Sequence, residues 1–303
     1  MAKYTLEYCN SLPLFDRGVS CLCWAYNEEL LIEEFLLRLN RLLRKTVGDY
    51  EIVIVDDGSE DNTNGIIHGL RKEIPQIKLI RNERNMNVSY SFQRALKSAT
   101  KEFVFWQTID WSYDITYLRI FLELLRSFDI VAGVRRKPVE AADRMWKPIL
   151  GFTQIFGIKH LTKRSDTFLK AFISVINYLL IRSLFQIPLS DFQNVTFYPR
   201  ELLQSIQYET NSSFSNPEGL IKAYWKGASI VEVPISFIPR SKGDAKGVSM
   251  RTIRASVNDI LTSWFRWVVL GNRQHGGNTT IKRLNPDEWE TDFGRTYVNQ
   301  FKK

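Results

Sequence analysis

The sequence is poor in cysteine and histidine, with three of each among 303 residues. Cys9, Cys21 and Cys23 all lie near the N-terminus, and no second cysteine pair or histidine cluster completes a zinc site. Cys21 and Cys23 flank one residue of an apolar run, so on a strand both point to the same face as small buried residues. This cysteine usage favours a reducing, cytoplasmic compartment.

Long hydrophobic runs are also absent. The longest apolar segment, Phe168–Phe185, is interrupted by Lys170 and Arg182, and it falls short of the roughly 20 apolar residues that span a bilayer. The N-terminus has no basic region followed by an apolar stretch, so no secretory leader is predicted. We therefore expect a protein that does not cross a membrane.

Acidic residues are the minority among the charged ones, 33 against 41 basic, which gives a formal net charge of +8. The excess is concentrated between Arg135 and Lys170, where nine residues are basic and three acidic. Such a segment suits a phosphate-bearing ligand, an anionic membrane surface or nucleic acid, and a solvated basic face is the alternative. Nucleic acid is disfavoured because no recognisable base-reading motif accompanies the charge.

What the sequence does contain is an alternation of strand and helix patterns over its first half. Apolar runs predict strands at Val19–Ala25, Glu51–Val55, Ile77–Ile80, Phe103–Gln107 and Asp129–Gly133. Helical patterns fall between them at Asn27–Lys45 (with Asn27 as N-cap), up to Leu70, Ser89–Ala99 and Ile115–Arg126. This order predicts an α/β protein with a doubly wound, mostly parallel sheet, in which ligands bind at the carboxyl ends of the strands.

Two adjacent aspartates, Asp56 and Asp57, close one of the buried strands. Buried carboxylates are costly unless they bind or cap something. A turn in which Ser59 or Asp61 caps the next helix accounts for those two residues but not for both aspartates. Because a nucleotide presents base N–H and ribose hydroxyl donors, carboxylates at a strand end are suited to bind it.

A further aspartate, Asp110, follows the fourth predicted strand. A carboxylate here can hold Mg²⁺ or Mn²⁺ that bridges a diphosphate, since hard cations take oxygen ligands. The alternative is a helix N-cap, a role that Asp114 fills more readily. Further along, Arg240–Gly247 offers cations and glycines that allow backbone N–H groups to approach an anion, although a solvated loop explains the same residues.

Several of these features occur together in one family. The motifs are Tyr26-Asn27-Glu28, Ile54 to Thr63 (IVDDGSEDNT), Arg81-Asn82, Thr108-Ile109-Asp110, Val233 to Phe237 (VPISF) and Arg240 with Gly243 to Lys246. In order and spacing they resemble family 2 inverting glycosyltransferases, nearest the dolichyl- or polyprenyl-phosphate mannosyl- and glucosyltransferases, over about residues 18–250. The resemblance implies an A-type glycosyltransferase fold, a Rossmann-like, mostly parallel sheet flanked by helices. Its domain would be 1–245 (nucleotide-binding half 18–115, acceptor half 116–245), followed by a C-terminal helical extension at 246–303.

The resemblance also implies roles for individual residues. Asp110 would be the metal ligand and, with Arg240, catalytic; Asp191 is a third catalytic candidate because of the acceptor chemistry considered below, not because of the resemblance. The nucleotide-sugar would be held by Tyr26, Glu28, Val55, Asp57, Thr108, Ile109, Asp110, Arg135, Arg240 and Lys246. The chain departs from the family pattern at four positions: Trp24, Thr108, Ser112 and Ala245. Thr108 and Ser112 replace metal ligands, so the departing diphosphate would depend more on Arg135, Arg240 and Lys246.

The expected partners are a UDP- or GDP-sugar donor and a lipid-phosphate acceptor at the cytoplasmic membrane face, and the chain could form a homodimer. The basic segment, Phe168–Phe185 and the Trp/Phe-rich helix near Trp264 support a peripheral membrane position, although core or dimer packing explains the same helices. If the acceptor is a hydroxyl, Asp191 or, second, Glu218 would take its proton, with capping or an ion pair as the alternative for each. A soluble transferase acting on a glycan or small-molecule hydroxyl, and an inactive nucleotide- or glycan-binding module, remain alternatives.

Overall fold

A computed structural model of the chain describes residues 11–135, 168–236, 238, 240, 250–271 and 279–284. The segment 136–167, which contains most of the basic excess, and the loop residue Lys246 lie outside the described residues. Of Arg135 only the backbone is described. Within the described residues, no helix is both long and apolar enough to cross a bilayer.

The described residues form one eight-stranded sheet with the order β3-β2-β1-β4-β6-β5-β7-β8. Its strands are β1 Val19–Ala25, β2 Tyr50–Asp56, β3 Ile77–Arg81, β4 Phe103–Trp106, β5 Ile130–Arg135, β6 Thr196–Pro199, β7 Ile230–Ile235 and β8 Ile281–Arg283. All neighbours are parallel except β6, which runs antiparallel to both β4 and β5. The predicted α/β class and mostly parallel sheet are confirmed.

Helices cover the sheet. They are α1 Ile32–Thr46, α2 Thr63–Leu70, α3 Val88–Ser98, α4 Leu118–Leu124, α5 Phe168–Phe185, α6 Arg200–Gln204, α7 Ser215–Trp225 and α8 Met250–Trp264, which continues into a π-helical turn, Phe265–Val269. Alternate residues of each strand enter two separate hydrophobic cores. In β1, Cys21 and Cys23 lie in one core and Leu22 in the other. Both cysteines are buried and free, as their spacing predicts.

The structure also contains elements that the apolar pattern does not predict. Strand β6 separates β4 from β5, and it is only four residues long. Strand β8, three residues long, pairs with β7, so the C-terminal extension adds a strand to the sheet as well as a helix. Neither strand is long enough to show a period of its own, and each is fixed by pairing with distant partners. The division of the chain into domains stays a prediction.

One helix start differs from the prediction. Asn27 has φ of 52°, in the left-handed region, and α1 begins at Ile32. Asn27 is therefore not the N-cap of this helix. Its side chain instead accepts a hydrogen bond from Glu60 N at 2.8 Å, because the loop after β1 is joined to the loop after β2.

Candidate active site

Two loops at the carboxyl ends of β1 and β2 are joined by side-chain hydrogen bonds. Asn27 N donates to Ser59 Oγ at 3.0 Å, and Glu28 N donates to Thr63 Oγ1 at 2.8 Å. Asp61 Oδ1 accepts from Thr63 N at 3.0 Å in the turn before α2, whose N-cap residue is Asn62 and not Asp61 or Ser59. These bonds hold Tyr26 and Glu28, both half-buried, at one edge of the sheet.

Both carboxylate oxygens of Asp56 accept hydrogen bonds from neighbouring residues. Its Oδ1 accepts from Ser59 N at 3.0 Å, and its Oδ2 accepts from Asn64 Nδ2 at 2.8 Å. Arg81 Nε lies 3.4 Å from the same Oδ2, and the Asp56 side chain has no exposed surface. The turn therefore explains Asp56 without a ligand.

Asp57 is bonded differently from its neighbour. Its Oδ1 accepts from Asn82 Nδ2 at 2.6 Å and from Met86 N at 2.9 Å. The peptide N–H of Asp57 donates to Ala25 O at 2.8 Å, which places the residue where β1 and β2 end. Among the described residues its hydrogen bonds end on Oδ1, so Oδ2 keeps its capacity to accept from a ligand.

Close backbone packing next to Asp57 requires glycine at position 58. Gly58 has φ of +73°, and a Cβ there would stand 2.4 Å from the carbonyl carbon of Arg84. Any larger residue would push the loop after β3 away from the loop after β2. Gly58 therefore sets the position of Met86 N, which donates to Asp57.

Asp110 lies at the end of the neighbouring strand. Gln107 N donates to Leu22 O at 3.2 Å, so the end of β4 lies beside β1. Ser112 N donates to Thr108 Oγ1 at 3.1 Å and to Asp110 Oδ1 at 3.2 Å. Asp110 is half-buried. Neither Asp110 nor Asp114 caps the following helix, whose N-cap is Tyr117. Asp114 Oδ1 instead accepts from Thr116 N at 3.1 Å within the preceding turn.

The acids that could bind a divalent cation are few. The described residues contain no group of three or more His, Cys, Asp or Glu side chains that could hold a metal ion. A single carboxylate still fits Mg²⁺ or Mn²⁺ here, because such cations are commonly bound by one or two carboxylates plus substrate phosphates and water. Asp110 is the residue that would supply that carboxylate.

The segment after β7 crosses the same edge. Asp114 N donates to Ser236 O at 3.1 Å, and Ile238 N donates to Ser112 O at 2.9 Å. Arg240 then forms a two-pronged ion pair with Glu28, with Nη1 at 3.2 Å from Oε1 and Nη2 bonded to Oε2. The structure thus brings Glu28, Asp110 and Arg240 from three distant stretches of sequence to one edge of the sheet.

Two predicted binding residues have buried side chains. Val55 is fully buried in β2, and Ile109 is 6% exposed in the other core. Their side chains are packing groups, so only their backbones could face a ligand. For Arg135, which ends β5, and for Lys246, the predicted contact with the diphosphate stays a prediction.

Asp191 lies beside the β4 loop. Its Oδ1 accepts from Gln193 N at 3.1 Å, and Tyr113 Oη donates to Gln193 O at 3.3 Å. Because β6 is antiparallel to β4, the turn before β6 lies at the edge where β4 ends. Asp191 is 4% exposed, so it is close to the site but well covered.

Beside Asp191 lies an acid that the sequence does not single out. Glu232, in β7, accepts from Ser190 Oγ at 2.8 Å and from Arg283 Nε of β8 at 2.7 Å. An acidic residue within the apolar run of β7 was the available signal. Glu232 holds the turn that carries Asp191, and it ties the C-terminal strand to the sheet.

Glu218 does not belong to this site. Its carboxylate accepts from Glu209 N at 2.8 Å, Thr210 N at 3.1 Å and Thr210 Oγ1 at 2.6 Å, and Lys222 Nζ lies at 2.6 Å. These donors fill the roughly four lone-pair sites of a carboxylate, and the side chain is fully buried. Among the roles considered for Glu218, which were general base, helix cap and ion pair, the structure shows the ion pair with Lys222.

Two open clefts of about 470 and 490 Å³ lie at the opposite end of the strands, where β2 and β3 begin. Both are lined by Tyr50, Pro75 and Gln76. The lysine at one rim, Lys101, is paired with Asp49 at 2.5 Å. These clefts gather no convergent set of reactive groups, so the strand ends are the stronger candidate despite the size of the clefts.

Solved structures share this fold. Glucosyl-3-phosphoglycerate synthase from Mycobacterium tuberculosis, solved with Mn²⁺, UDP-glucose and phosphoglyceric acid, is 14% identical, with a TM-score of 0.50 over 82% of this chain and 79% of that one. The mannosyltransferase PcManGT from Pyrobaculum calidifontis, solved with GDP-Man and Mn²⁺, is 16% identical, with a TM-score of 0.52 over 87% of this chain and 69% of that one. The predicted A-type glycosyltransferase fold is thereby confirmed.

Two curated relatives are sugar transferases by name. Glycosyltransferase AglD of Haloferax volcanii is 25% identical over 83% of this chain. The undecaprenyl-phosphate 4-deoxy-4-formamido-L-arabinose transferase of Pseudomonas fluorescens is 28% identical over 42% of it. The aligned part spans 38% of the length of each relative. The model of glycosyl transferase family 2 matches residues 20–187, more than half of the chain, and the chain therefore belongs to that family.

Proposed function

We propose that this chain is a glycosyltransferase domain that moves a sugar from a UDP- or GDP-sugar to a polyprenyl phosphate with inversion at the anomeric carbon. The observation that carries the proposal is the arrangement at the strand ends. Asp57 keeps an accepting oxygen there, Asp110 is half-buried, and Arg240 reaches across to Glu28. Carboxylates that could bind a nucleoside and a metal ion, and a guanidinium that could bind a diphosphate, therefore lie at the same edge of the sheet.

The donor would lie across β2, β1 and β4. Asp57 would accept an N–H or O–H of the nucleoside through Oδ2, since Asn82 and Met86 hold Oδ1. Asp110 would hold the divalent cation, which supplies charge neutralisation of the diphosphate. Arg240, now paired with Glu28, would turn its guanidinium toward the diphosphate as the donor enters, because a phosphate accepts the same two-pronged contact.

The transfer step exchanges two bonds. An oxygen of the acceptor forms a bond to the anomeric carbon, and the bond from that carbon to the β-phosphate oxygen breaks on the opposite face. The leaving nucleoside diphosphate takes the electron pair, and the guanidinium of Arg240 would stabilise its charge. A lipid phosphate is already ionised and needs no general base, whereas a hydroxyl acceptor would pass its proton to Asp191.

The lipid-phosphate acceptor is supported by the relatives. One of them is by name an undecaprenyl-phosphate sugar transferase. Asp191 is only 4% exposed and accepts from Gln193 N, which suits it poorly as a base for a hydroxyl acceptor. Transfer to a soluble glycan is the alternative outcome of the acceptor assay.

The first experiment measures nucleotide binding by calorimetry with UDP, GDP and their sugars, with and without Mn²⁺. Asp57→Asn keeps one oxygen for Asn82 and Met86 but replaces the other with an N–H₂ group that opposes the ligand's N–H. We expect this variant to lose about 2 kcal/mol, roughly thirtyfold, in nucleotide affinity, which is typical of one hydrogen bond to a charged group.

The matched control is Asp49→Asn, at the opposite end of the same strand, where the side chain is 61% exposed. It should bind as the unmodified chain does. Equal binding by Asp57→Asn would remove Asp57 from the site. If no nucleotide binds the unmodified chain, the proposed function is wrong. With the donor known, transfer to undecaprenyl phosphate and the anomeric configuration of the product test acceptor and inversion separately.

A further inference from the structure

The C-terminal helix exposes a regular apolar stripe. Val257 is 37% exposed, Leu261 46%, Phe265 51% and Val269 52%, and each follows the previous one by four residues. Leu270 adds a fifth exposed apolar side chain at 59%. Single exposed apolar residues are ordinary on a protein surface, but a contiguous row marks an interaction site.

The π-helical turn limits how far this stripe drifts around the helix. In an α-helix, positions four apart advance by about 400°, so a row of them drifts around the axis. From Phe265 onward the hydrogen bonding changes, since Leu270 N donates to Phe265 O at 3.0 Å, five residues back. A π turn holds more residues, so the step to Val269 advances by less than a full turn and shifts the row back against the earlier drift. Such turns occur frequently at functional sites.

The opposite side of the helix is anchored in the protein. Ile260 is fully buried and Trp267 is 2% exposed. The Trp267 ring packs against Phe185 and Trp225 with centroids 5.7 and 6.0 Å apart, and its Nε1 donates to Glu209 Oε1 at 3.0 Å. The helix therefore cannot rotate to bury the stripe.

The other segment expected at a membrane, Phe168–Phe185, behaves differently. Along its described C-terminal half, Tyr178, Ile181 and Phe185 are buried in the core. Trp264, also expected to contribute, is only half-exposed. The candidate surface is the stripe of Val257, Leu261, Phe265 and Val269.

The charged residues of this helix indicate which kind of partner could cover the stripe. Arg254 and Arg266 are exposed on the same helix, and Arg266 Nη1 lies 3.9 Å from Oε2 of the partly exposed Glu209, so Arg254 carries the larger share of the uncompensated charge. Its single acid, Asp259, is turned toward the protein, where it accepts from Ser212 N at 3.2 Å. A second copy of the chain would bring arginines of both copies together without an exposed acid from this helix to neutralise them. An anionic lipid surface offers both an apolar layer and opposite charge.

We propose that α8 and the following π turn lie in the surface of an anionic bilayer, with the stripe among the acyl chains and Arg254 and Arg266 at the headgroups. The inference rests on the proposed function in one respect: a bilayer surface bound by α8 is where a lipid-phosphate acceptor would be found, close to the candidate active site. Met250, the first residue of α8, follows Arg240 of the site by ten positions. Vesicle binding itself needs no sugar transfer.

The test is flotation of the whole chain with two kinds of vesicle, equal parts phosphatidylglycerol and phosphatidylcholine, or phosphatidylcholine alone. We expect binding to the anionic vesicles and a loss of at least about tenfold in partitioning for the double variant L261Q/F265Q, because two large apolar side chains no longer enter the bilayer. Arg254→Gln should weaken binding to anionic vesicles about fivefold. The matched control N258Q/T262Q changes two exposed polar positions of the same helix and should bind normally.

Light scattering of the chain without vesicles measures its oligomeric state and tests the alternative that a second copy covers the stripe. A dimer that L261Q/F265Q dissociates, together with no flotation, would assign the stripe to a second copy and overturn the proposal. Unchanged flotation of L261Q/F265Q would overturn it as well. Nucleotide binding by this variant should equal that of the unmodified chain, so a failure of the membrane inference is distinguishable from a failure of the proposed function.

Discussion

Two pairs of acidic residues in this protein differ in how many of their carboxylate oxygens accept hydrogen bonds from the protein. Asp56 and Glu218 are both fully buried, and their oxygens are taken up by donors of the protein. Asp57 and Asp110 lie at the strand ends, and each accepts its described hydrogen bonds through Oδ1. Asp56 and Asp57 are both buried, so burial alone does not identify a binding carboxylate. A better indicator is a carboxylate oxygen to which none of the described residues donates a hydrogen bond.

The largest effect is expected when the carboxylate of Asp110 loses the oxygen that would bind the cation. Asp110→Asn should lower sugar transfer about 10³-fold, because the carboxylate that would hold the cation is lost. The melting temperature should stay nearly unchanged, since Asn still accepts from Ser112 N. Steady-state transfer with Mn²⁺ and a thermal melt measure both.

The control for this variant lies four residues further along. Asp114→Asn keeps an acceptor for Thr116 N and should transfer sugar almost normally. Near-normal transfer by Asp110→Asn would contradict the proposed role of Asp110, and equal losses in the two variants would point to a general disturbance of the loop.

Glu218 represents the acids whose oxygens are all bonded within the protein, and its replacement should affect stability and not binding. Glu218→Gln leaves Lys222 beside a neutral group and replaces an accepting oxygen with an N–H₂ group facing donors. We expect the free energy of unfolding to fall by about 3 kcal/mol, with nucleotide affinity unchanged at a temperature where the variant is folded. Urea unfolding and calorimetry measure these two quantities, and a loss of transfer without a loss of stability would return Glu218 to the list of candidate bases.

The smallest effect is expected from an exposed acid. The guanidinium of Arg17 donates to Glu102 and lowers the pKa of that carboxyl. Since the Glu102 side chain is 48% exposed, Glu102→Gln should change the free energy of unfolding at pH 7 by less than about 1 kcal/mol. A lowered pKa stabilises the fold above the unfolded-state pKa, so the difference should disappear as the pH falls through the folded-state pKa. Urea unfolding at several pH values measures it, and a difference that grows in acid would contradict the ion pair.

Sequence reasoning succeeded where a pattern repeats or where motifs come in order. The apolar runs predict β1 to β5 to within a few residues, and the apolar segment Phe168–Phe185 coincides with α5. It failed where the outcome depends on distant contacts. Asn27 looks like a helix cap, yet it bonds Glu60 in another loop, and nothing local distinguishes Asp56 from Asp57. The Trp/Phe-rich helix near Trp264 is predicted to lie at a membrane surface, but the sequence does not tell that Trp267 is buried in the core and Phe265 is exposed.

By itself, the sequence determined the α/β alternation, the family and the residue types at the strand ends, because periodicity and motif order are local properties of the chain. Tertiary structure decided which acids retain an oxygen for a ligand, since the donors to Asp56, Asp57 and Glu218 are set by how loops and helices meet. It also decided which face of the last helix is left uncovered. Both outcomes depend on the space and the hydrogen bonds that distant segments provide, and these become defined only when the chain is folded.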